Sequence, residues 1–387
     1  MVGHRASLSA GVLAGTALLV ACGSESMPPV LGGAAGNDAG APSDGGPSLI
    51  SDASPVIKDC GVGPDGGVCA CVDQPLVVDP PTLYFVLDRS GSMADLNKWN
   101  TVRTVLETVT VRLGGRAAFG AAVFPDPTAD GCAVGRQVVP PRVGDGLNAQ
   151  PGPDDLALFY TLNHIGASGG TPTAATLKAL LPQLQAIKGK TYVILATDGG
   201  PNCNANASCS AAMCTWNIEG DNGCSPAADA GDCCTAPNNL ACLDAQPTID
   251  AVGAIAAAGI PVYVVGVPGS EPYASLLDQL ATTGGTARSS EPLYYAVSTA
   301  DEQALLSAMS QIAAKVTGSC TLMLDQAPPD SSLVNVFLDG SAIAQSGPDG
   351  WTLNGTTVTI LGKSCQAILD GDVLDVRVVA GCPTLTH

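Results

Sequence analysis

Four short apolar runs in the middle of the chain limit the folds that this sequence can adopt. Each run is continuous rather than alternating, which is typical of parallel strands that are buried on both faces. Segments with a helical repeat of apolar residues separate the runs. We therefore predict an α/β fold with a doubly wound, mostly parallel sheet and helices on both of its faces. The predicted strands are Leu83–Leu87, Ala117–Phe124, Tyr192–Ala196 and Pro261–Val267.

The predicted helices fill the gaps between these strands. One of them has apolar residues on a single face from Leu177 to Ile187, and Pro172 lies near its start, where a missing N–H has no cost. Pro182 lies inside the same pattern and predicts a kink or a break. The other predicted helices are Asp95–Leu113, Asp154–Leu162, Thr248–Ala258, Tyr273–Ala281 and Asp301–Val316.

Two of the predicted strands are followed by an aspartate. Asp88 begins the sequence Asp-Arg-Ser-Gly-Ser, which places a carboxylate and the hydroxyls of Ser90 and Ser92 on one loop, and Asp198 follows a later strand. In a doubly wound sheet, binding sites lie outside the carboxyl ends of the strands. Hard oxygen ligands at this spacing suit Mg²⁺ or Mn²⁺, and Ca²⁺ is a further candidate.

The Asp-x-Ser-x-Ser sequence resembles the beginning of the metal-ion-dependent adhesion site of von Willebrand factor type A (vWA) domains, the family that includes integrin I domains. That family completes its site with a threonine from a later loop and an aspartate that ends a later strand. The segments 169–173 (Gly-Gly-Thr-Pro-Thr) and 196–202 (Ala-Thr-Asp-Gly-Gly-Pro-Asn) match both pieces in the expected order. The resemblance covers about residues 80–317. It implies the metal ligands Asp88, Ser90, Ser92, Thr171 and Asp198.

The same resemblance implies a mode of binding. In this family the divalent ion accepts an Asp or Glu carboxylate from another molecule, so we expect a protein partner that presents such a carboxylate. Each motif also has a purely structural interpretation: a Ser-Gly-Ser sequence is common in turns, and Thr171 is a possible cap for the helix that begins near Pro172.

Residues 1–21 are typical of an export signal. Their apolar run, Leu8–Val20, is shorter than the roughly 20 residues that a membrane-spanning helix needs. The run ends in Leu-Val-Ala-Cys, which resembles the lipobox of bacterial lipoproteins and implies lipid attachment to Cys22. The alternative is an ordinary signal peptide with a chance cysteine. We expect a cell-envelope protein that contacts the membrane through its lipid only, and Gly23 favours the outer membrane or cell surface.

Two segments lead from the lipid to the folded part. Residues 22–58 are rich in Gly, Ala, Pro, Ser and Asp and lack a hydrophobic repeat, so we predict a flexible tether. Residues 59–79 contain cysteines and form a lead-in to the α/β domain.

The chain contains 15 cysteines but only three histidines, and its cysteine spacings do not match those of zinc sites. We therefore predict disulfides and an oxidising compartment. A cysteine-rich insertion at residues 203–242 has seven cysteines, so at least one pairs outside it, and Cys132 is the nearest candidate. We also predict at least one disulfide between the segments that flank the α/β domain. The disulfide candidates are Cys60, Cys69, Cys71, Cys132, Cys203, Cys209, Cys214, Cys224, Cys233, Cys234, Cys242, Cys320, Cys365 and Cys382.

The last segment, residues 318–387, has the pattern of strands. Asp339-Gly340 and Asn354-Gly355 are strong hairpin signals between apolar runs. We predict a small antiparallel β module that disulfides stabilise. Its predicted strands are Leu333–Leu338, Trp351–Leu353, Thr356–Leu361 and Val373–Val379.

Charge and composition exclude several functions. With 16 Lys and Arg against 35 Asp and Glu, the net charge of −19 opposes binding to nucleic acid. The common nucleophile-elbow, Walker, dinucleotide and zinc-protease motifs are absent, so we do not expect an enzyme. Two hypotheses remain: an adhesion module that binds a partner carboxylate through a metal ion, or a structural envelope lipoprotein in which the metal only stabilises the fold.

Overall fold

The computed structural model describes residues 56–57, 71–74, 76, 79–129, 131–145, 151–207, 238–297 and 301–386. All of them belong to one compact unit, Ala53–His387. The predicted signal peptide, Cys22, nearly all of the tether and most of the cysteine-rich insertion lie outside the described residues. Within the described residues, no helix combines the length and apolarity that crossing a membrane requires.

The described elements follow one another along the chain in this order. The strands are β1 Val56–Ile57, β2 Cys71–Asp73, β3 Thr82–Asp88, β4 Ala118–Phe124, β5 Arg136–Val143, β6 Thr191–Thr197, β7 Val262–Gly266, β8 Tyr295–Ala296, β9 Thr321–Met323, β10 Val334–Leu338, β11 Ser341–Ile343, β12 Trp351–Asn354, β13 Thr357–Ile360 and β14 Val376–Ala380. The α-helices are α1 Lys98–Leu113, α2 Pro153–Asn163, α3 Thr173–Ala186, α4 Ala245–Ala257, α5 Ala274–Thr283, α6 Glu302–Thr317 and α7 Gly362–Asp370.

A six-stranded sheet forms the centre of the molecule, with the strand order β5-β4-β3-β6-β7-β8. All neighbouring strands are parallel except β5, which pairs antiparallel with β4 at one edge. The predicted α/β fold class is therefore confirmed. The edge strands β5 and β8 were not predicted. The β5 sequence contains two prolines and two arginines, a composition that only an edge strand tolerates.

Helices cover both faces of this sheet, which explains why the strands are continuously apolar. Alternate residues of β3 point to opposite sides. Phe85 packs into a buried cluster with residues of α1, α2 and α6, whereas Tyr84 packs into a second cluster with residues of α3, α4 and α5. Both side chains are fully buried.

Two helices differ in detail from the prediction. The helix α3 runs from Thr173 to Ala186 without a break at Pro182. The first helix begins at Lys98 rather than Asp95, because the preceding segment Gly91–Asn97 forms tight 3₁₀ turns and its last two residues, Leu96 and Asn97, have left-handed backbone angles.

Strands from both flanks of the α/β domain share one sheet. Its order is β1-β2-β14-β10-β11, so that Asp73 near the amino terminus pairs with Val379 near the carboxyl terminus. The two flanks thus lie on the same side, as a disulfide between them requires. Such a disulfide stays a prediction. Its amino-terminal cysteine would be Cys71, or else Cys60 or Cys69, which lie outside the described residues. The strand β1 lies within the segment predicted as tether.

The carboxyl-terminal segment is not composed of strands alone. The predicted strands are present, and the turn Asp339-Gly340 has the two positive φ angles, 45° and 79°, of a type I′ hairpin. A second, three-stranded sheet has the order β12-β13-β9. The helix α7 was not predicted; it packs against α6 and is tied to the start of β9 by the Cys320–Cys365 disulfide. The predicted small antiparallel β module is therefore confirmed, and the helix α7 is an addition to it.

Candidate metal centre

The site lies at the point where the strand order reverses. From β3 the chain proceeds to β4 and β5 on one side, and it later returns to place β6 on the other side of β3. In doubly wound sheets, the crevice at such a point is the usual place for a ligand. Asp88 ends β3 and Asp198 directly follows β6, so both carboxylates lie at this crevice.

Asp88 is completely buried, and its carboxylate accepts hydrogen bonds from Ser90 and Thr197. Its Oδ1 accepts from the Ser90 amide at 2.8 Å, and its Oδ2 accepts from the Thr197 hydroxyl at 2.6 Å. Burial and the nearby charge of Asp198 raise the pKa of Asp88 to about 7. A carboxylate in such surroundings requires either a proton or a compensating cation.

Two serine hydroxyls connect this carboxylate to the second one. The hydroxyls of Ser90 and Ser92 are 3.2 Å apart, and Ser92 donates to Oδ1 of Asp198 at 2.9 Å. Asp88, Ser90 and Asp198 are buried, whereas Ser92 is exposed. The structure thus brings four of the predicted ligands together in a buried crevice that opens to solvent beside Ser92.

Thr171 lies on the loop next to this group. The Gly91 amide donates to the Gly169 carbonyl at 2.8 Å, which fixes the Thr171 loop against the Asp88 loop. Thr171 and Asn202 exchange two hydrogen bonds of 2.7 and 2.9 Å, which fix the same loop against the segment after Asp198. Since the N-cap of α3 is Pro172, Thr171 is not the capping residue that the structural interpretation required.

Lys98 belongs to the site, although sequence reasoning did not single it out. It is the first residue of α1, and its side chain is only 6% exposed. Its ammonium forms an ion pair with Oδ2 of Asp198 and donates to the Pro268 carbonyl at 3.1 Å. No local pattern marks this lysine, because its partner lies 100 residues further along the chain.

Arg89 fixes the loop that follows Asp88, and sequence reasoning did not predict this role either. Its guanidinium is buried and donates to the carbonyls of Gly166 at 2.7 Å, Ser168 at 3.0 Å and Pro125 at 3.3 Å. These bonds to backbone carbonyls fix the loops around the site, and the charge of Arg89 also interacts with the Asp88 carboxylate.

A cavity of about 360 Å³ adjoins the loop that follows Asp88. Met93 and Ala94 line it on one side, and Trp99, Arg103 and His164 line it on the other. The Trp99 indole donates to the Ile165 carbonyl at 2.6 Å, and Nδ1 of His164 lies 2.7 Å from the Tyr160 carbonyl. The cavity near Ser92 is therefore lined by both apolar and polar side chains.

A disulfide supports the Thr171 loop. Cys132, after β4, is bonded to Cys203, at the start of the cysteine-rich insertion. This is the bond outside the insertion that the odd cysteine count predicted. A Cβ atom on Gly170 would come within 2.5 Å of the Cys203 sulfur, so the disulfide packs directly against the residue before Thr171. The other candidate cysteines of the insertion lie outside the described residues, except the buried Cys242.

The donor set contains only two charged ligands. Among the described residues, no group of three or more His, Cys, Asp or Glu side chains is placed to hold a metal ion. A cation in this crevice therefore has to bind two carboxylates and neutral hydroxyls. Hard, oxygen-binding divalent ions accept such a donor set.

Comparison with known proteins gives the following result. No protein-family model matches the chain, and no curated protein matches it. Among solved structures, the pilus adhesin SpaC from Lactobacillus rhamnosus GG has 19% identity and a TM-score of 0.46, with 81% of this chain and 39% of that chain covered. The vWF domain of the type V pili tip protein Mfa5 from Porphyromonas gingivalis has 12% identity and a TM-score of 0.41, with 61% and 94% covered.

A third similar structure is a von Willebrand factor type A protein from Catenulispora acidiphila, with 14% identity, a TM-score of 0.38, and 79% and 58% of the two chains covered. The chain thus spans well under half the length of the SpaC adhesin. Likeness at these scores carries no argument about function, so a functional conclusion has to come from the site itself.

Proposed function

We propose that this chain is a vWA-like protein of the cell envelope that binds a protein partner through a divalent cation. The cation, Mg²⁺ or Mn²⁺, with Ca²⁺ as a further candidate, supplies a Lewis-acidic position that accepts a partner's Asp or Glu carboxylate. The proposed ligands are Asp88, Ser90, Ser92, Thr171 and Asp198.

One observation carries this proposal: a fully buried carboxylate, Asp88, lies beside a second one, Asp198, and two hydroxyls fill the space between them. Two carboxylates that are buried together repel each other, and a divalent cation removes that repulsion. Lys98 pairs with Asp198 only, so the buried Asp88 carboxylate still needs a compensating cation, because a buried unpaired charge destabilises the fold.

The surroundings of the crevice favour recognition of a protein. The cavity beside Met93 and Trp99 offers room for the residues that flank a partner carboxylate. The cysteine-rich insertion begins at Cys203, directly after the Asp198 loop, and therefore starts from the same edge of the sheet. We assign specificity to these two features and the role of anchor to the metal.

The cysteines support the proposed location in the cell envelope. The Cys132–Cys203 and Cys320–Cys365 disulfides fit an oxidising compartment. Attachment through a lipid on Cys22, which the resemblance of Leu-Val-Ala-Cys to a lipobox implies, is part of the proposal. The membrane contact is then made by the lipid alone, and the acidic chain does not bind nucleic acid.

Metal binding is the first test. We expect Mn²⁺ to bind the purified chain in a titration followed by electron paramagnetic resonance. Asp88→Asn keeps the shape of the side chain but removes one charge, and we expect Mn²⁺ affinity to fall at least about 100-fold. Asp250→Ala, which removes an exposed carboxylate on α4, is the matched control and should bind Mn²⁺ like the wild type. Circular dichroism should show that all three proteins are folded.

Partner binding separates adhesion from the structural alternative. A pull-down of envelope and host-surface proteins with the full chain should lose its captured protein both in EDTA and with Asp88→Asn. If Mn²⁺ binds but capture is the same with and without EDTA, the adhesion function is wrong. If Asp88→Asn or EDTA unfolds the chain, the metal has the structural role.

A further inference from the structure

The buried lysine of the metal centre suggests a role beyond the fold. Lysine is almost never fully buried unless its charge is paired. Lys98 is buried, and its ammonium is held by Asp198 and the Pro268 carbonyl. Gly269 has a φ of +106°, and a Cβ atom there would lie 3.4 Å from the Lys98 ammonium.

The two oxygens of Asp198 face different groups. Oδ1 accepts from the Ser92 hydroxyl at 2.9 Å, on the side of the proposed ligands. Oδ2 pairs with Lys98, which is on α1. Lys98 therefore fixes the orientation of Asp198 and leaves Oδ1 for a cation, so it is a positioning residue and not a ligand.

The charges at the centre can be counted. When ionised, Asp88 and Asp198 contribute −2, and a divalent cation contributes +2. The buried cations Lys98, which pairs with Asp198, and Arg89, whose charge interacts with Asp88, contribute +1 each. With Lys98, the loaded centre has a net charge of +2; without it, the net charge is +1. Charges in a buried crevice interact strongly, since the effective dielectric constant is far below that of water.

We infer that Lys98 raises the positive charge of the loaded metal centre, so that the centre favours an anionic carboxylate ligand and holds its metal ion less tightly. This inference rests on the proposed function and names the charge of the ligand that the site selects. It also answers a difficulty that the composition raises. A chain with a net charge of −19 repels acidic partners, and Lys98 adds a local positive charge where the partner carboxylate binds.

The test uses Lys98→Met in the full chain. Methionine fills the space of the lysine stem and removes the charge together with the hydrogen bonds to Asp198 and the Pro268 carbonyl. We expect Mn²⁺ to bind about ten-fold more tightly than to the wild type, because the repulsion between ammonium and metal is gone. We expect acetate, titrated against the water relaxation of bound Mn²⁺, to bind the loaded variant about ten-fold more weakly. Lys178→Met, an exposed lysine on α3, is the control and should change neither value.

The outcomes separate this inference from the proposed function. If the wild type does not bind Mn²⁺, the proposed function fails and the inference fails with it. If the wild type binds Mn²⁺ and Lys98→Met has the same Mn²⁺ and acetate affinities, only the inference is overturned. If Mn²⁺ and acetate are both weakened, Lys98 has a merely structural role, and the inference is again wrong. Lys98→Gln retains an N–H donor for Asp198, and it serves in the same titrations if Lys98→Met does not fold.

Discussion

Lys98 and Arg116 are buried cations at opposite ends of the central sheet, and they contact different kinds of groups. At the carboxyl end, Lys98 pairs with the carboxylate of Asp198. At the amino end, Arg116 precedes β4 and donates to the carbonyls of Leu374 at 2.6 Å and Thr317 at 3.2 Å. Both cations are less than 8% exposed.

This difference shows that burial alone does not indicate the role of a charged side chain. The carbonyls around Arg116 are neutral and belong to the backbone of the carboxyl-terminal part, so Arg116 joins that part permanently to the sheet. Burial lowers the pKa of Arg116, but arginine remains charged in proteins. The carboxylate beside Lys98 is one that a metal ion also uses in our proposal, so a change at Lys98 alters the chemistry of a site.

The disulfides extend the comparison. Cys132–Cys203 packs against Gly170, next to a proposed metal ligand. Cys320–Cys365 connects β9 with α7 in the carboxyl-terminal part. The first closes a sequence separation of 71 residues and the second one of 45, so loop entropy predicts similar stabilisation from both.

The largest expected effect comes from removing either disulfide. Each double variant, Cys132→Ser with Cys203→Ser and Cys320→Ser with Cys365→Ser, should lower the free energy of unfolding by about 4 kcal/mol, as measured by guanidinium denaturation. Only the first should also weaken Mn²⁺ binding, because only that bond supports the Thr171 loop. If the two double variants bind Mn²⁺ with equal affinity, the two disulfides do not differ in their effect on the proposed metal site.

The second prediction concerns Arg116. Arg116→Met leaves two buried carbonyls without their donor, so we expect the free energy of unfolding to fall by about 3 kcal/mol in the same assay. Mn²⁺ affinity should stay that of the wild type in any folded fraction. Lys98→Met is the natural counterpart, since it makes the same chemical change at the other end. A change of Mn²⁺ affinity in Arg116→Met would show that the ends are coupled.

The sequence was sufficient to predict the parts of the fold that depend on local pattern. The parallel strands were evident because helices cover both faces of the sheet, so that neighbours such as Tyr84 and Phe85 are both apolar and both buried. The turn at Asp339-Gly340 was evident because a two-residue hairpin needs positive φ angles. The proposed ligands Asp88 and Asp198 could be named from the sequence because each follows a predicted strand.

Other features depend on contacts between distant residues and left no local signal. The strand β5 has prolines and charges that are typical of a loop, and only its pairing with β4 makes it a strand. The helix α7 is short and is held by Cys365 and by packing on α6. Lys98 has the appearance of an ordinary residue at the start of a helix until folding places it beside Asp198.

The buried carboxylate of Asp155 gives the smallest expected effect, and within the described part of the chain it has no salt-bridge partner. Burial, together with the charges of Asp145 and Asp154, raises the pKa of Asp155 to about 6, and backbone hydrogen bonds at Asp145 and Gly152 only partly oppose this. The unfolded chain has the ordinary value of about 4. Between pH 4 and 6 the folded state therefore binds more protons, so its stability falls as the pH rises through this window.

We expect this group to lower the free energy of unfolding by about 2 kcal/mol between pH 4 and pH 7, with no further loss above the pKa of the folded state. Urea denaturation at several pH values measures this change as the difference in the free energy of unfolding between the wild type and Asp155→Asn, which lacks the titrating group. Asp250→Asn, an exposed aspartate of α4, should keep the wild-type pH dependence. If Asp155→Asn also keeps it, an uncompensated buried carboxylate is harmless in this fold. The proximity of Asp88 and Asp198 would then need no cation, and the contrast between Lys98 and Arg116 would lose its physical basis.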